Sequence, residues 1–416
     1  MSQDSKQSTL LLDRSDVRVN HDTGFAATIR SSIDKVRSGD LGSLPVVVGL
    51  VIIWTVFGTL NPTFLSSNNL ANLLFDASTV GIISLGIVCV LMVGEIDLSV
   101  GSISGFASAM VGMLWVNEGW PVALAILAAL VVGGVIGAIY AVLFNRLGIP
   151  SFVATLAGLL AVLGMQLYLL GATGSINLPY GSAIVNFGQL LVIPRPLAYV
   201  FALIPGAVML VAGLGAVRRR KLANLSTPSV GGLLIKAAVI TVALEFVAFY
   251  LNQGRGIPWM FALFVVLVIV MDYALTRTQW GRSMSAVGGN REAARRAGIN
   301  VRRIYTSAFV LCAMFAALGG VLAAARLASA SQQAGTGDVN LNAIAAAVIG
   351  GTSLFGGRGS AYSALLGIIV IQSIASGLTM LDLSSALRYM ITGAVLAIAV
   401  IVDSLARRSR ASHGRG

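Results

Sequence analysis

Charge is what this chain has least of. Asp, Glu, Lys and Arg make up 11% of its 416 residues, while hydrophobic residues make up 56%. Soluble globular chains carry about a quarter and about half, respectively, so a set of soluble domains is excluded. The two cysteines, Cys89 and Cys312, both fall inside apolar stretches. They read as small buried hydrophobes, with no disulfide framework and no CxxC pair for metal or redox work. The two histidines, His21 and His413, lie in the polar ends, which leaves a zinc site or a histidine-based triad nothing to stand on. No Gly-Lys pair occurs, so the GxxxxGK[ST] phosphate loop is missing and ATP is not bound by that route. HExxH and GxSxG are absent as well. No catalytic residue, metal or cofactor is expected, and any ATP hydrolysis must come from a partner.

What remains is apolar and helical. Runs of eighteen or more apolar residues recur along the chain, and its 47 glycines suit helices packed closely in a bilayer. The fold class is all-α, a polytopic transmembrane bundle. Residues 1–43 form a polar tail with six basic and six acidic residues, and 406–416 form a basic tail. The apolar membrane domain lies between them, at 44–405. Long spans are expected near 44–60, 78–94, 98–115, 121–144, 150–171, 197–217, 230–251, 258–275, 305–325, 360–381 and 386–403. The segment 63–78, TFLSSNNLANLLFDAS, has no basic residue and reads as external; its LxNLL pattern is amphipathic and could lie along the interface. Only Glu95-Ile96-Asp97 separates the second and third spans, which predicts a tight hairpin or one broken helix.

The net charge is +12, and the basic residues cluster in the tails, at Arg218–Lys221 and in one loop at 276–303. That is the bias of basic residues kept on the cytoplasmic side. No aromatic residues interleave with them as a base-stacking surface would require, so nucleic acid is not an expected partner. Both tails are expected to be cytoplasmic. The short Ala/Gly-rich helix at 342–352 must then cross too, giving about twelve crossings.

The 276–303 loop holds Arg277, Arg282, Arg291, Arg295, Arg296, Arg302 and Arg303 with a single acid, Glu292. Gly288, Gly289 and Asn290 are expected to form a turn. REAARRAG then has strong helix formers, an early acid and a glycine stop at Gly298. This short basic helix could rest in a groove of a cytoplasmic partner, or the loop could simply set topology. Glu95 and Asp97 interrupt a long apolar stretch. They could line a path or gate, or Asp97 could cap the next helix with both acids at its positive end. Glu245, deep in its span and without a local partner, could make a functional or inter-helix contact. Ser99, Ser102, Gln166 and Gln372 add donors and acceptors for a polar path, although most such groups in membrane helices bond to their own or a neighbouring backbone.

The residues Gly94–Ser102, GEIDLSVGS, resemble the GxIDLSVGS element of bacterial sugar ABC-importer permeases. AVGGNREAARRAGI at 286–299 and GGTSLFGGRGS at 350–360 resemble two further elements of that family, in the same order. Gly254-Arg255-Gly256-Ile257-Pro258 and the extra pair of spans near 197–251 are most similar to its xylose-permease branch. Glu292-Ala293-Ala294 followed by Gly298 matches the first half of the importers' EAA-x3-G coupling loop, and the second half is absent.

The resemblance implies a multi-pass inner-membrane permease, homodimeric in the lipid bilayer, that carries a monosaccharide such as a xylose-type pentose. An extracytoplasmic sugar-binding protein would dock on one side and ATP-binding subunits on the other, at Gly288–Gly298. Permeases of the same family for a nucleoside, an autoinducer or a branched-chain amino acid remain alternatives, as does an ion-driven secondary transporter.

Overall fold

The computed structural model describes residues 44–394 apart from positions 224, 226, 228, 385 and 389, together with residue 397. The two expected tails and half of the last expected span, 386–403, lie outside the described residues. Among the described residues, nine helices are long and apolar enough to cross a membrane, and two shorter apolar helices accompany them.

The chain divides into two compact units. In the larger, α1 (Leu44–Leu60), α2 (Ser67–Met92), α3 (Val100–Gly112), α4 (Val122–Leu147) and α5 (Ser151–Leu170) follow one another. One π-helical turn, Met113–Asn117, extends α3. Strand β1 (Ser175–Asn177) and the short α6 (Ala183–Gln189) come next. The smaller unit is a pair of helices, α7 (Arg195–Leu222) and α8 (Val230–Leu251), packed on each other. The chain then returns to the larger unit through α9 (Trp259–Arg277), α10 (Gln279–Gly289), α11 (Arg291–Arg296) and α12 (Val301–Leu327). Strand β2 (Ser329–Ser331), α13 (Val339–Ile349) and α14 (Ala361–Met380) complete it.

Proline and hydroxyl residues set the helix starts. Pro121, Pro150, Pro194 and Pro258 each stand immediately before a helix, where a missing N–H costs nothing. Ser66 caps α2 by accepting the Asn69 N–H at 3.3 Å. Burial separates centre from rim. In α2 and α12, 83% and 72% of the most apolar window is buried, against 28% in α4, α5 and α9. Helix α12 packs on α2, α4 and α3, and small residues permit the approach. A Cβ on Gly320 of α12 would lie 1.9 Å from the Ser104 carbonyl oxygen of α3.

Two expectations are corrected here. The 63–78 stretch does not lie along an interface; from Ser67 it forms the first turns of α2 and buries Leu73 and Phe75. Its one acid, Asp76, accepts from Arg326 at the end of α12 at 2.8 Å, and the same guanidinium lies over the Phe75 ring at 4.9 Å. Helices α2 and α3 make neither a hairpin nor one broken helix. The linker from Val93 to Ser99 turns α3 away, and it packs mainly on α12 and α5.

At the far end of α12, β2 pairs antiparallel with β1, with Ile176 opposite Ala330. The expected short helix is α13, starting at Val339. Its eleven residues rise about 16 Å, roughly half of a hydrocarbon core about 30 Å thick. The turn-rich chain before it lies against the start of α3, where a Cβ on Gly335 would overlap the Gly101 carbonyl oxygen.

Candidate functional site

The three sequence elements that stood out, distant along the chain, meet at one end of the larger unit. The first enters where α2 stops: Gly94 has φ +81° and turns the chain into the Glu95–Ser99 linker. The second is the α10–α11 corner. Thr278 caps α10 by accepting the Gly281 N–H at 3.2 Å, and Trp280 Nε1 donates to Ser307 Oγ of α12 at 2.8 Å. Asn290 Oδ1 accepts the Ala293 N–H at 2.9 Å and starts α11. Gly298, at φ +83°, ends it, with the Ile299 N–H returning to the Ala294 carbonyl at 3.1 Å. The third is the Gly350–Ser360 turn, whose Gly357 N–H donates to the Met92 carbonyl at 2.9 Å.

Gly288 and Gly289 are not the expected turn; they close α10, and the break falls at Asn290. Gly288 is the point of contact. A Cβ there would lie 1.9 Å from the Met92 carbonyl oxygen and 2.5 Å from the Gly357 nitrogen, whereas one on Gly289 meets nothing within 4 Å. Gly356 combines φ +83° with a hypothetical Cβ 2.7 Å from the Gly288 carbonyl oxygen, a position closed to any side chain.

Helix α11 faces two ways. Ala294 is buried, while Glu292 is exposed and pairs with Arg295 at 2.9 Å and Arg296 at 3.5 Å. Arg291 turns inward, 5.4 Å from the Tyr305 ring centre and 5.8 Å from that of Phe144. Glu95 lies close enough to feel its charge and accepts from Ser151 Oγ, at the first turn of α5, at 2.6 Å. Burial pushes the Glu95 carboxyl above its ordinary value of 4.5, and the Ser151 hydrogen bond and the Arg291 charge hold it down only in part. The folded chain therefore binds this proton more tightly than the unfolded one. The group's stabilising contribution is complete below 4.5 and is lost as pH rises through the raised folded value. Glu95→Gln is expected to remove that loss. Melting curves from below pH 4.5 to neutrality should show the variant gaining on the parent chain as pH rises, and a constant difference would contradict this.

Deeper, the linker and α3 form a buried polar seam. Asp97 is fully buried, with its Oδ1 accepting both the Ser99 N–H at 2.8 Å and the Ser99 hydroxyl at 2.6 Å. The helix cap itself is Ser99; Asp97 braces the turn before it. Leu98 N–H donates to Thr155 Oγ1 of α5 at 3.2 Å, and the Ser102 hydroxyl donates to the Ser99 carbonyl at 2.9 Å. Three turns further along α5, fully buried Gln166 donates from Nε2 to the carbonyls of Ser331 at 3.0 Å and Ala334 at 2.9 Å. Asn340 Oδ1 accepts the Gly101 N–H. The segment between β2 and α13 is thus tied to α5 by the Gln166 amide, and the start of α13 to α3 by that of Asn340.

The structure therefore brings Gly288, Gly289, Asn290, Glu292, Ala293, Ala294 and Gly298 to one corner, and Glu95, Asp97, Ser99, Ser102 and Gln166 to one seam along α3 and α5. It does not bring Gln372 there. That residue is half-buried on α14, which packs chiefly on α13, α2, α9 and α1. Glu245 lies half-buried on α8, in the smaller unit. Ser151 and Asn340 were not among the residues singled out from sequence. Ser151 had one usable signal: it follows Pro150 at a short connection between spans.

A bundle of membrane-length helices with a buried polar seam inside defines a multi-pass helical membrane protein. The profile of the family described as "Branched-chain amino acid transport system / permease component" matches residues 69–400. The xylose transport system permease protein XylH of Escherichia coli is 35% identical, over 87% of this chain and 90% of that protein. The probable ABC transporter permease protein YphD of Escherichia coli is 32% identical, over 90% and 93%. The ribose import permease protein RbsC of the same organism is 29% identical, over 86% and 92%. No solved structure matches. The chain belongs to this family of ABC-transporter permeases: it is a multi-pass inner-membrane protein and a transport component rather than an enzyme.

Proposed function

We propose that this permease imports a monosaccharide, most specifically a xylose-type pentose, as the membrane-spanning subunit of an ATP-driven importer. The observation that carries the reading is the 35% identity to a xylose permease over 87% of the chain, supported by the meeting of the three family elements at one corner. ATP-binding subunits dock at α11, on the cytoplasmic side, and a sugar-binding protein delivers the solute to the opposite end, near β1, β2 and α6. Both termini are cytoplasmic, about twelve segments cross, and two copies form the pore.

In this reading, closure of the ATPases pushes α11. Arg291 bears on Glu95, Glu95 on Ser151, and α5 carries the shift to Gln166 and the chain beyond β2. The permease makes no covalent bond; it couples the position of one helix to the opening of a path.

The test is uptake into proteoliposomes that contain the permease, its ATPase and its binding protein, with labelled xylose, ribose, a nucleoside and leucine compared. Preferential ATP-dependent xylose uptake is the expected result, and preference for leucine would favour the amino-acid reading that the family's description offers. In the same vesicles, Glu292→Arg with Gly298→Val should abolish uptake and separate it from ATP hydrolysis. Glu292 is half-exposed, so its ion pairs add little to stability. Gly298 needs its left-handed backbone only to end α11. Normal uptake by this variant would sink the docking assignment.

A further inference from the structure

Away from the polar seam, the end of α4 and the beginning of α12 leave a groove of about 580 Å3 between them. Its floor is apolar, with Val142 from α4 and Val310 from α12, and its rim carries Asn145, Arg146, Arg302 and Arg303. Asn145 Nδ2 donates to the Arg302 carbonyl at 3.2 Å and to Thr306 Oγ1 at 3.3 Å, which holds the two helix ends in register. All three arginines are exposed, and among the described residues none of them is paired with a carboxylate.

The groove floor continues out of the groove along one face of α4. Val142, Ile139, Val135 and Val131 are spaced three and four residues apart and are each about half exposed, at 46%, 51%, 52% and 54%. That spacing makes a single helix stripe, and in a membrane-spanning helix such a stripe meets acyl chains.

We propose that this groove binds one anionic phospholipid, its phosphate held by Arg146, Arg302 and Arg303 and its chains laid along the α4 stripe. Guanidinium groups match phosphate oxygens with paired hydrogen bonds, and basic pockets between membrane helices hold anionic headgroups. Arginines placed only for topology need not converge. Here Arg146 and Arg302 come from helices far apart in sequence, and they frame one cavity whose floor is apolar.

The test uses the full purified chain in detergent, titrated with phosphatidylglycerol and, separately, with phosphatidylcholine, and counts bound lipid by native mass spectrometry. One tightly retained phosphatidylglycerol is expected, with phosphatidylcholine weaker on the order of tenfold or more. Arg146→Gln, Arg302→Gln and Arg303→Gln together should erase the preference, and the three Lys replacements, which keep the charge but lose the paired hydrogen bonds, should restore only part of it. Because loss of positive charge can disturb insertion, Val142→Trp is the second variant: it keeps every charge, fills the floor and should lose the lipid. Glycerol phosphate should not displace the bound lipid. Equal binding of the two lipids, unchanged binding by either variant, full displacement by glycerol phosphate, or displacement by the partner ATPase would each overturn the proposal.

Discussion

Gly288→Ala is expected to reduce uptake to background and to lower the melting temperature of the purified chain, whereas Gly289→Ala, one residue on, leaves that temperature unchanged or raises it slightly. The difference is wholly one of neighbours. A methyl group at Gly288 would lie 1.9 Å from the Met92 carbonyl oxygen and 2.5 Å from the Gly357 nitrogen, and at Gly289 it meets nothing within 4 Å. Both obstacles at Gly288 are backbone, so no side-chain rotation can relieve them. Alanine favours a helix by about 1 kcal/mol over glycine at either position, so intrinsic propensity predicts equal gains. Overpacking of this kind costs about 1–3 kcal/mol and would separate α10 from the end of α2 and from the Gly350–Ser360 turn. Melting in detergent and uptake in proteoliposomes measure the two effects. Similar behaviour of the two variants would mean that the junction is not close-packed.

The second large effect is expected at Gln166. Replacing it with leucine keeps the bulk and removes the amide, so the Ser331 and Ala334 carbonyls lose a donor in a buried setting. A buried acceptor left alone costs about 1–3 kcal/mol, enough to release the segment between β2 and α13 from α5. Uptake should fall by about tenfold while ATP hydrolysis by the partner persists, and amide exchange over 331–338 should speed up. Gln166→Glu, which turns an acceptor toward those carbonyls, should fare no better. Unchanged uptake in the leucine variant, or slow exchange despite the lost donor, would show that Gln166 holds nothing the transport cycle needs.

What was legible in the sequence was local. Helix α11 could be read because its determinants are neighbours in the chain: Asn290 before it, Glu292 in its first turn and Gly298 after it. Long apolar runs announced the membrane helices for the same reason. Contacts between remote segments were not legible. Gly288 and Gly289 are chemically identical, and only the Met92 and Gly357 backbones tell them apart. The start of α2 was misread because its LxNLL pattern suggested an interface; the partner that lets Asp76 pack inside, Arg326, lies 250 residues away. Glu95 stood out as an acid interrupting an apolar stretch, but Ser151 did not, since a hydroxyl after a proline at a helix start is a weak signal that says nothing of its partner. Gln166 was one polar residue among several until the carbonyls of Ser331 and Ala334 appeared beside it.

The α7–α8 pair leaves the larger unit at Val192 and rejoins it at Pro258, and those two residues are antiparallel bridge partners, with the Trp259 N–H donating to the Leu191 carbonyl at 3.2 Å. The doorway is therefore already shut without the pair. An ancestor could acquire or discard both helices in a single genetic event, splicing at adjacent points and leaving the remaining backbone where it was, which is the condition under which inserted modules are tolerated. Both helices are long enough to traverse a bilayer, so the event changes the number of passes by an even count. Every later segment would keep its sidedness, and lineages with and without the pair could share the same coupling machinery.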